Sequence, residues 1–103
     1  SASDVYKRQV TVQTSELFGH LQSSPLLCDG AMGTELYRKG WVSFDQCLDE
    51  LNSDRPDLVR SIHREYIEAG ADIIETNTFG ANRIKLEAHS LDTHMETFNR
   101  QGV

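Results

Sequence analysis

Two short stretches hold the residues whose types and spacing suit chemistry. Asp29-Gly30-Ala31-Met32-Gly33-Thr34 sets a carboxylate and two glycines directly after an apolar run. Glu75-Thr76-Asn77-Thr78-Phe79-Gly80 sets a carboxylate, two hydroxyls and an amide after another. Asp29 offers an acceptor for an ammonium group. Hydroxyls of Thr76 or Thr78, and backbone N–H groups freed beside the glycines, offer donors for a carboxylate. Brought into one pocket, these groups suit a zwitterionic amino acid. Each also has a plainer role. Asp-Gly is a common turn pair, and Asp29 has the alternative of capping the helix that follows. Thr76 and Asn77 are turn formers. Gly30-x-x-Gly33 lacks both the lysine of a phosphate loop and the GxGxxG of a dinucleotide fold.

The surrounding pattern supplies elements to position these stretches. Leu26-Leu27-Cys28 reads as a buried strand running into a tight turn at Asp29-Gly30, and Ala71–Thr76 as a second β-prone run. A lead-in helix is expected over Ser15–Gln22, broken by Ser23-Ser24-Pro25. A short helix is expected over Met32–Lys39, with Gly40 at its C′ position. Ser43-Phe44-Asp45-Gln46 has the form of a capping box. The clearest helix starts near Ser53, Asp54 and Pro56 and stops at Gly70, with Leu58, Val59, Ile62, Tyr66, Ile67 and Ala69 on one face. A further helix is expected over Asn82–His89. Thr93-His94-Met95-Glu96 resembles a capping box opening a last one. Strands alternating with helices make this an α/β chain with parallel strands and right-handed crossovers. In such folds the chemistry gathers at the C-terminal strand ends, where both polar stretches lie.

Composition narrows the function classes. The 103 residues carry 16 Asp+Glu against 10 Lys+Arg, a formal net charge of −6, with 38% hydrophobic and 25% charged residues. That balance argues against gripping nucleic acid through its phosphates. No apolar run approaches the roughly 20 residues of a membrane span, and the first residues lack the apolar core of a secretory signal. A soluble, cytoplasmic globular piece is expected. Residues 1–13 show no period and read as an unassigned leader, not necessarily native to the domain; residues 14–103 carry the pattern. Cys28 and Cys47 match no zinc-binding spacing and read as plain thiols. His63 sits beside an apolar stripe as a helix-packing residue, and none of His20, His63, His89 and His94 looks like a metal ligand. Asp49 and Glu50 read as a solvated surface.

Leu26-Leu27-Cys28-Asp29-Gly30-Ala31-Met32-Gly33-Thr34-Glu35-Leu36 resembles the first strand and loop of the homocysteine S-methyltransferase domain. Gly70-Ala71-Asp72-Ile73-Ile74-Glu75-Thr76-Asn77-Thr78-Phe79-Gly80-Ala81-Asn82 resembles its second. Arg55-Pro56-Asp57-Leu58-Val59 and Ile62-His63-Arg64-Glu65-Tyr66 fit the link between them. The likeness runs from about residue 15 to the end. Phe44–Asn52 and Ala81–Leu86 most resemble a bacterial type in which this domain is fused to a methylenetetrahydrofolate reductase domain. The amino-terminal domain of cobalamin-dependent methionine synthase ranks next. The resemblance implies the first two βα units of a (β/α)₈ TIM barrel. It also implies an enzyme that moves a methyl group to the thiol of homocysteine, giving methionine, with zinc favouring the thiolate. It places the substrate ammonium on Asp29 and the carboxylate on Gly30 and Thr76, with Glu75, Asn77 and Thr78 as further candidates. Homocysteine and a methyl donor (folate, methylcobalamin or S-methylmethionine) are the implied partners.

One departure matters. The family's zinc is held by a lone cysteine and an adjacent pair late in the barrel. This chain has no Cys-Cys pair, and Cys28 and Cys47 lie in the early motifs. A barrel needs roughly 250 residues. The expectation is therefore a part of a methyltransferase, inactive alone, with no metal ligand and no catalytic residue of its own. Two alternatives remain open: a non-catalytic barrel piece serving as an interaction module, and a different β/α enzyme binding a small anion. With few strands, Leu26-Leu27 and Ile73-Ile74 are expected to leave uncovered edges.

Overall fold

The computed structural model describes residues 13–103, so the leader expected at 1–13 falls almost wholly outside the described residues. Helix α1 spans Thr14–Ser23, α2 spans Gly33–Arg38, and a 3₁₀ turn at Leu48–Glu50 leads into α3, Leu51–Asp54. Helix α4 spans Pro56–Glu68 and α5 spans Arg83–Glu87; a second 3₁₀ turn at Asp92–His94 leads into α6, Met95–Gly102. Proline at the first position opens α4, where a missing N–H costs nothing. Gly40 and Gly70, at φ +73° and +112°, close α2 and α4 in backbone conformations that side-chain-bearing residues rarely adopt. Asn82 caps α5, its Oδ1 accepting from the Lys85 N–H at 3.0 Å.

The two expected strands are reduced to a single parallel bridge, Cys28 to Ile73, among the described residues. The parallel direction is as the alternating pattern implied; the length is not. Asp29 N–H donates to Ile73 O at 2.9 Å, and Ile73 N–H to Leu27 O at 3.1 Å. Continuing the ladder one way would need Glu75 N–H to reach the Asp29 carbonyl. The Asp29 carboxylate takes that N–H instead, at 3.0 Å. At the other end the Asp72 carboxylate takes the Leu27 N–H at 3.0 Å. Aspartates compete with backbone acceptors in this way, and here one stops the ladder at each end. The Leu27 side chain, expected to be buried, is 58% exposed, and Ile73 and Ile74 are also exposed.

Helices carry the packing. Leu36 of α2, Leu51 of α3, and Val59 and Ile62 of α4 form one core, flanked by Met32, Val42, Leu48, Leu58 and Tyr66. Complete burial of an Ile or Leu side chain contributes about 1.5–3 kcal/mol. Cys47, Ala81, Leu86 and Phe98 form a second core, flanked by Leu91 and Met95. The segment from Cys47 to Leu51 feeds both. Ile67, placed by its spacing on the packed face of α4, is exposed, and α1 buries none of its residues. The two expected capping boxes differ in outcome. Ser43 N–H points to Gln46 Oε1 at 3.5 Å, but around a turn rather than a helix. No side chain caps α6, because the 3₁₀ turn occupies the place expected for the Thr93 cap. Ser53 and Asp54 lie in α3 rather than capping α4.

Candidate functional site

The parallel bridge brings the two chemistry-bearing stretches side by side. Asp29, Gly30, Ala31, Met32 and Gly33 line one wall of a cleft of about 440 Å³, and Glu75, Thr76, Asn77, Thr78, Phe79 and Gly80 line another. All six candidate residues from the sequence border this one cleft. The bond from Glu75 N–H to Asp29 Oδ2 ties the walls together and orients the Asp29 carboxylate across the strand ends. No side chain caps α2, so Asp29 does not take the helix-capping role open to it in the sequence.

The Thr76 and Thr78 hydroxyls lie 2.7 Å apart and share one hydrogen bond. Thr78 N–H donates to Thr76 O at 3.0 Å, a tight local turn that places both on the cleft wall. Gly30 is needed for room. A Cβ there would lie 2.9 Å from the Tyr66 hydroxyl, which donates to Ala31 O at 2.8 Å and braces the loop against α4. Phe79 stands at the rim, 93% exposed.

Asn77 is used differently from its threonine neighbours. It is buried, and its Nδ2 donates to Leu48 O at 2.9 Å and to Asn52 Oδ1 at 3.1 Å. Asn52, 1% exposed, donates in turn to Asn77 O at 2.7 Å and to Phe98 O at 3.0 Å. These bonds occupy both amides within the fold.

Asp49 corrects the sequence reading. Expected on a solvated surface, it is 7% exposed and borders the cleft. Its Oδ2 accepts the Gly80 N–H at 3.1 Å. Burial pushes its carboxyl above the ordinary aspartate value, while the Gly80 N–H and the nearby His89 pull the other way. The only local hint was its place one residue after an apolar position. His63 is partly buried on α4, as its place beside the stripe suggested. Its Nδ1 is buried with no hydrogen-bond partner among the described residues, and burial disfavours the imidazolium form, holding its pKa below the ordinary histidine value.

Among the described residues no three His, Cys, Asp or Glu side chains lie close enough to hold a metal ion. Cys28 is an exposed free thiol on the bridge, and Cys47 a buried one whose ionisation burial disfavours. These residues do not fit a zinc centre. None of the described helices is long and apolar enough to cross a membrane.

The methionine synthase of Mycobacterium leprae (strain TN) is 37% identical to this chain over 94 residues, covering 86% of the chain and 8% of that protein. The methionine synthase of Mycobacterium tuberculosis (strain ATCC 25618 / H37Rv) is 36% identical over 94 residues, with the same shares. The chain thus spans less than a tenth of the length of these relatives. The family model for homocysteine S-methyltransferase matches residues 26–103, which include both walls of the cleft. On that match and these relatives, the chain belongs to the homocysteine S-methyltransferase family.

Proposed function

We propose that this chain supplies the amino-acid clamp of an enzyme that transfers a methyl group to the thiol of homocysteine. The observation that carries the reading is the Asp29 carboxylate, held by the Glu75 N–H across the bridge, in one cleft with the paired Thr76 and Thr78 hydroxyls. The carboxylate accepts the substrate ammonium. The Thr76 hydroxyl and the backbone at Gly30 receive the substrate carboxylate, and Thr78 fixes the Thr76 hydroxyl through the bond they share. Holding both ends of the amino acid orients the side-chain sulfur, and orientation is a large part of what such a site contributes to rate. Glu75 contributes its backbone N–H, and Asn77 fixes the loop from within the fold. The fold is then the opening two βα units of a (β/α)₈ barrel, with the cleft at the C-terminal strand ends. Zinc, where the parent enzyme uses it, is held by residues outside those described. The methyl donor (folate, methylcobalamin or S-methylmethionine) approaches from the open side of the cleft. A fused reductase domain and a cytoplasmic location belong to the same reading.

The test is methyl transfer by the natural polypeptide that carries these residues. Asp29→Ala removes the ammonium acceptor and is expected to raise the KM for homocysteine by about tenfold to a hundredfold, the weight of a hydrogen bond to a charged group. An unchanged KM in Asp29→Ala, with the protein folded, would refute the clamp. Binding of inorganic phosphate without binding of homocysteine would favour the anion-binding alternative.

A further inference from the structure

We propose that Asp49 is a positioning residue for the substrate-carboxylate side of the cleft, acting through Gly80 on the loop that carries Thr76 and Thr78. The inference rests on the homocysteine reading above and adds a residue to it.

The loop from Asn77 to Gly80 is held at two points by one short segment, Leu48–Asn52. At the first, the Asn52 and Asn77 amides bond to each other, and to the Asn77 and Leu48 carbonyls, at 2.7 to 3.1 Å. At the second, Asp49 Oδ2 accepts the Gly80 N–H at 3.1 Å. Only Thr78 and Phe79 lie between these points, so the segment, together with Gly102 of α6 packed close to the Thr78 methyl, restricts where the Thr78 hydroxyl sits. Thr78 sets Thr76 through their 2.7 Å bond.

The fit at the second point is close. A Cβ at Gly80 would lie 2.6 Å from Asp49 Oδ1. A buried carboxylate is a costly way to close a turn, since its desolvation is only partly offset by one backbone bond. A leucine there would pack at less cost but would leave the Gly80 N–H without its acceptor and the loop free to move. Buried polar contacts of this kind specify a single arrangement more than they add stability.

The experiment uses the natural polypeptide with three variants. Asp49→Ala frees the Gly80 N–H. Gly80→Ala pushes the loop off Asp49 while leaving every polar group in place, and it serves if Asp49→Ala does not fold. Asp49→Asn keeps an acceptor oxygen and is the rescue. Readouts are the KM and kcat for homocysteine, the Tm, and the threonine methyl signals of Thr76 and Thr78 by NMR. The expected result is a KM raised about tenfold in Asp49→Ala and Gly80→Ala, with kcat changed much less. The threonine signals shift in those two variants, and both effects are restored in Asp49→Asn. A lowered Tm with unchanged KM and unmoved threonine signals would overturn the proposal and leave Asp49 a stability residue. If the polypeptide transfers no methyl group to homocysteine, the functional reading fails separately. The threonine signals then decide the positioning role: shifted and rescued supports it, unmoved overturns it.

Discussion

Gly30→Ala, combined with Tyr66→Phe, tests how the Asp29-Gly30 loop is held. Gly30 does not adopt a positive φ, so alanine there avoids the left-handed backbone conformation that disfavours side chains. The obstacle is Tyr66, whose hydroxyl would lie 2.9 Å from the new methyl, with two ring carbons at 3.3 Å. Tyr66 packs beside the core of Leu36, Leu51, Val59 and Ile62 and donates to Ala31 O, so its ring has little room to retreat. Gly30→Ala should therefore cost about 1–3 kcal/mol, the range for overpacking. Tyr66→Phe alone gives up one hydrogen bond, at about 0.5–1.5 kcal/mol. In the double variant the closest approach is to ring carbons, which a few tenths of an ångström relieve, and the Ala31 bond is already gone. The alanine should then cost under about 1 kcal/mol. With Gly30→Ala near the middle of its range, at about 2 kcal/mol, the expected coupling is about 1 kcal/mol or more, read from urea denaturation of the wild type, both single variants and the double. Additivity within about 0.3–0.5 kcal/mol would refute the account, because residues in contact must couple.

Three further outcomes follow from the same contacts. Burial raises the Asp49 carboxyl above its reference value of 3.8, so the folded state binds its proton more readily than the unfolded chain. This contribution makes stability fall as pH rises from about 4 through the folded value. Asp49→Asn should remove that slope, and parallel Tm–pH curves for the two proteins would refute it. Asn82→Ala removes the acceptor of the Lys85 N–H at the start of α5 and should cost about 1 kcal/mol, seen as faster hydrogen exchange of the Lys85 amide; unchanged exchange would show that the cap is idle. The 103-residue chain by itself should associate as concentration rises, because Leu27, Ile73 and Ile74 are exposed beside an unextended ladder. Leu27→Lys with Ile74→Lys should weaken that association in sedimentation, and an equal association constant would place the contact elsewhere.

The relatives reported are methionine synthases, the second of the two types that the sequence resembles, and they match a segment short in proportion to their own length. Family membership was legible because two long motifs carry it, and both fall on the cleft. The plainer sequence readings separate cleanly once distances are known. Asp29 proved a cross-strand acceptor rather than a helix cap, and Asn77 an internal brace. His63, read as a packing residue, is half-buried, but that its Nδ1 finds no partner among the described residues had no sequence signal.

What the sequence by itself determined is local. Proline at the start of α4, glycines after α2 and α4, and apolar spacing at Leu58, Val59, Ile62 and Tyr66 act over one or two turns, so they were readable from neighbours. Two chemistry-bearing motifs were readable for the same reason. Tertiary structure alone decided how far the strands pair and which polar residues are buried. The ladder between Leu27–Asp29 and Ile73 joins positions more than 40 residues apart, and the aspartate side chains that end it compete for backbone groups on the opposite strand. Asp49 changed from an expected surface residue to a cleft residue because Gly80, 31 positions along, brings its N–H to it. Burial is a property of what packs against a residue, and one stretch of sequence does not show what the rest of the chain brings there.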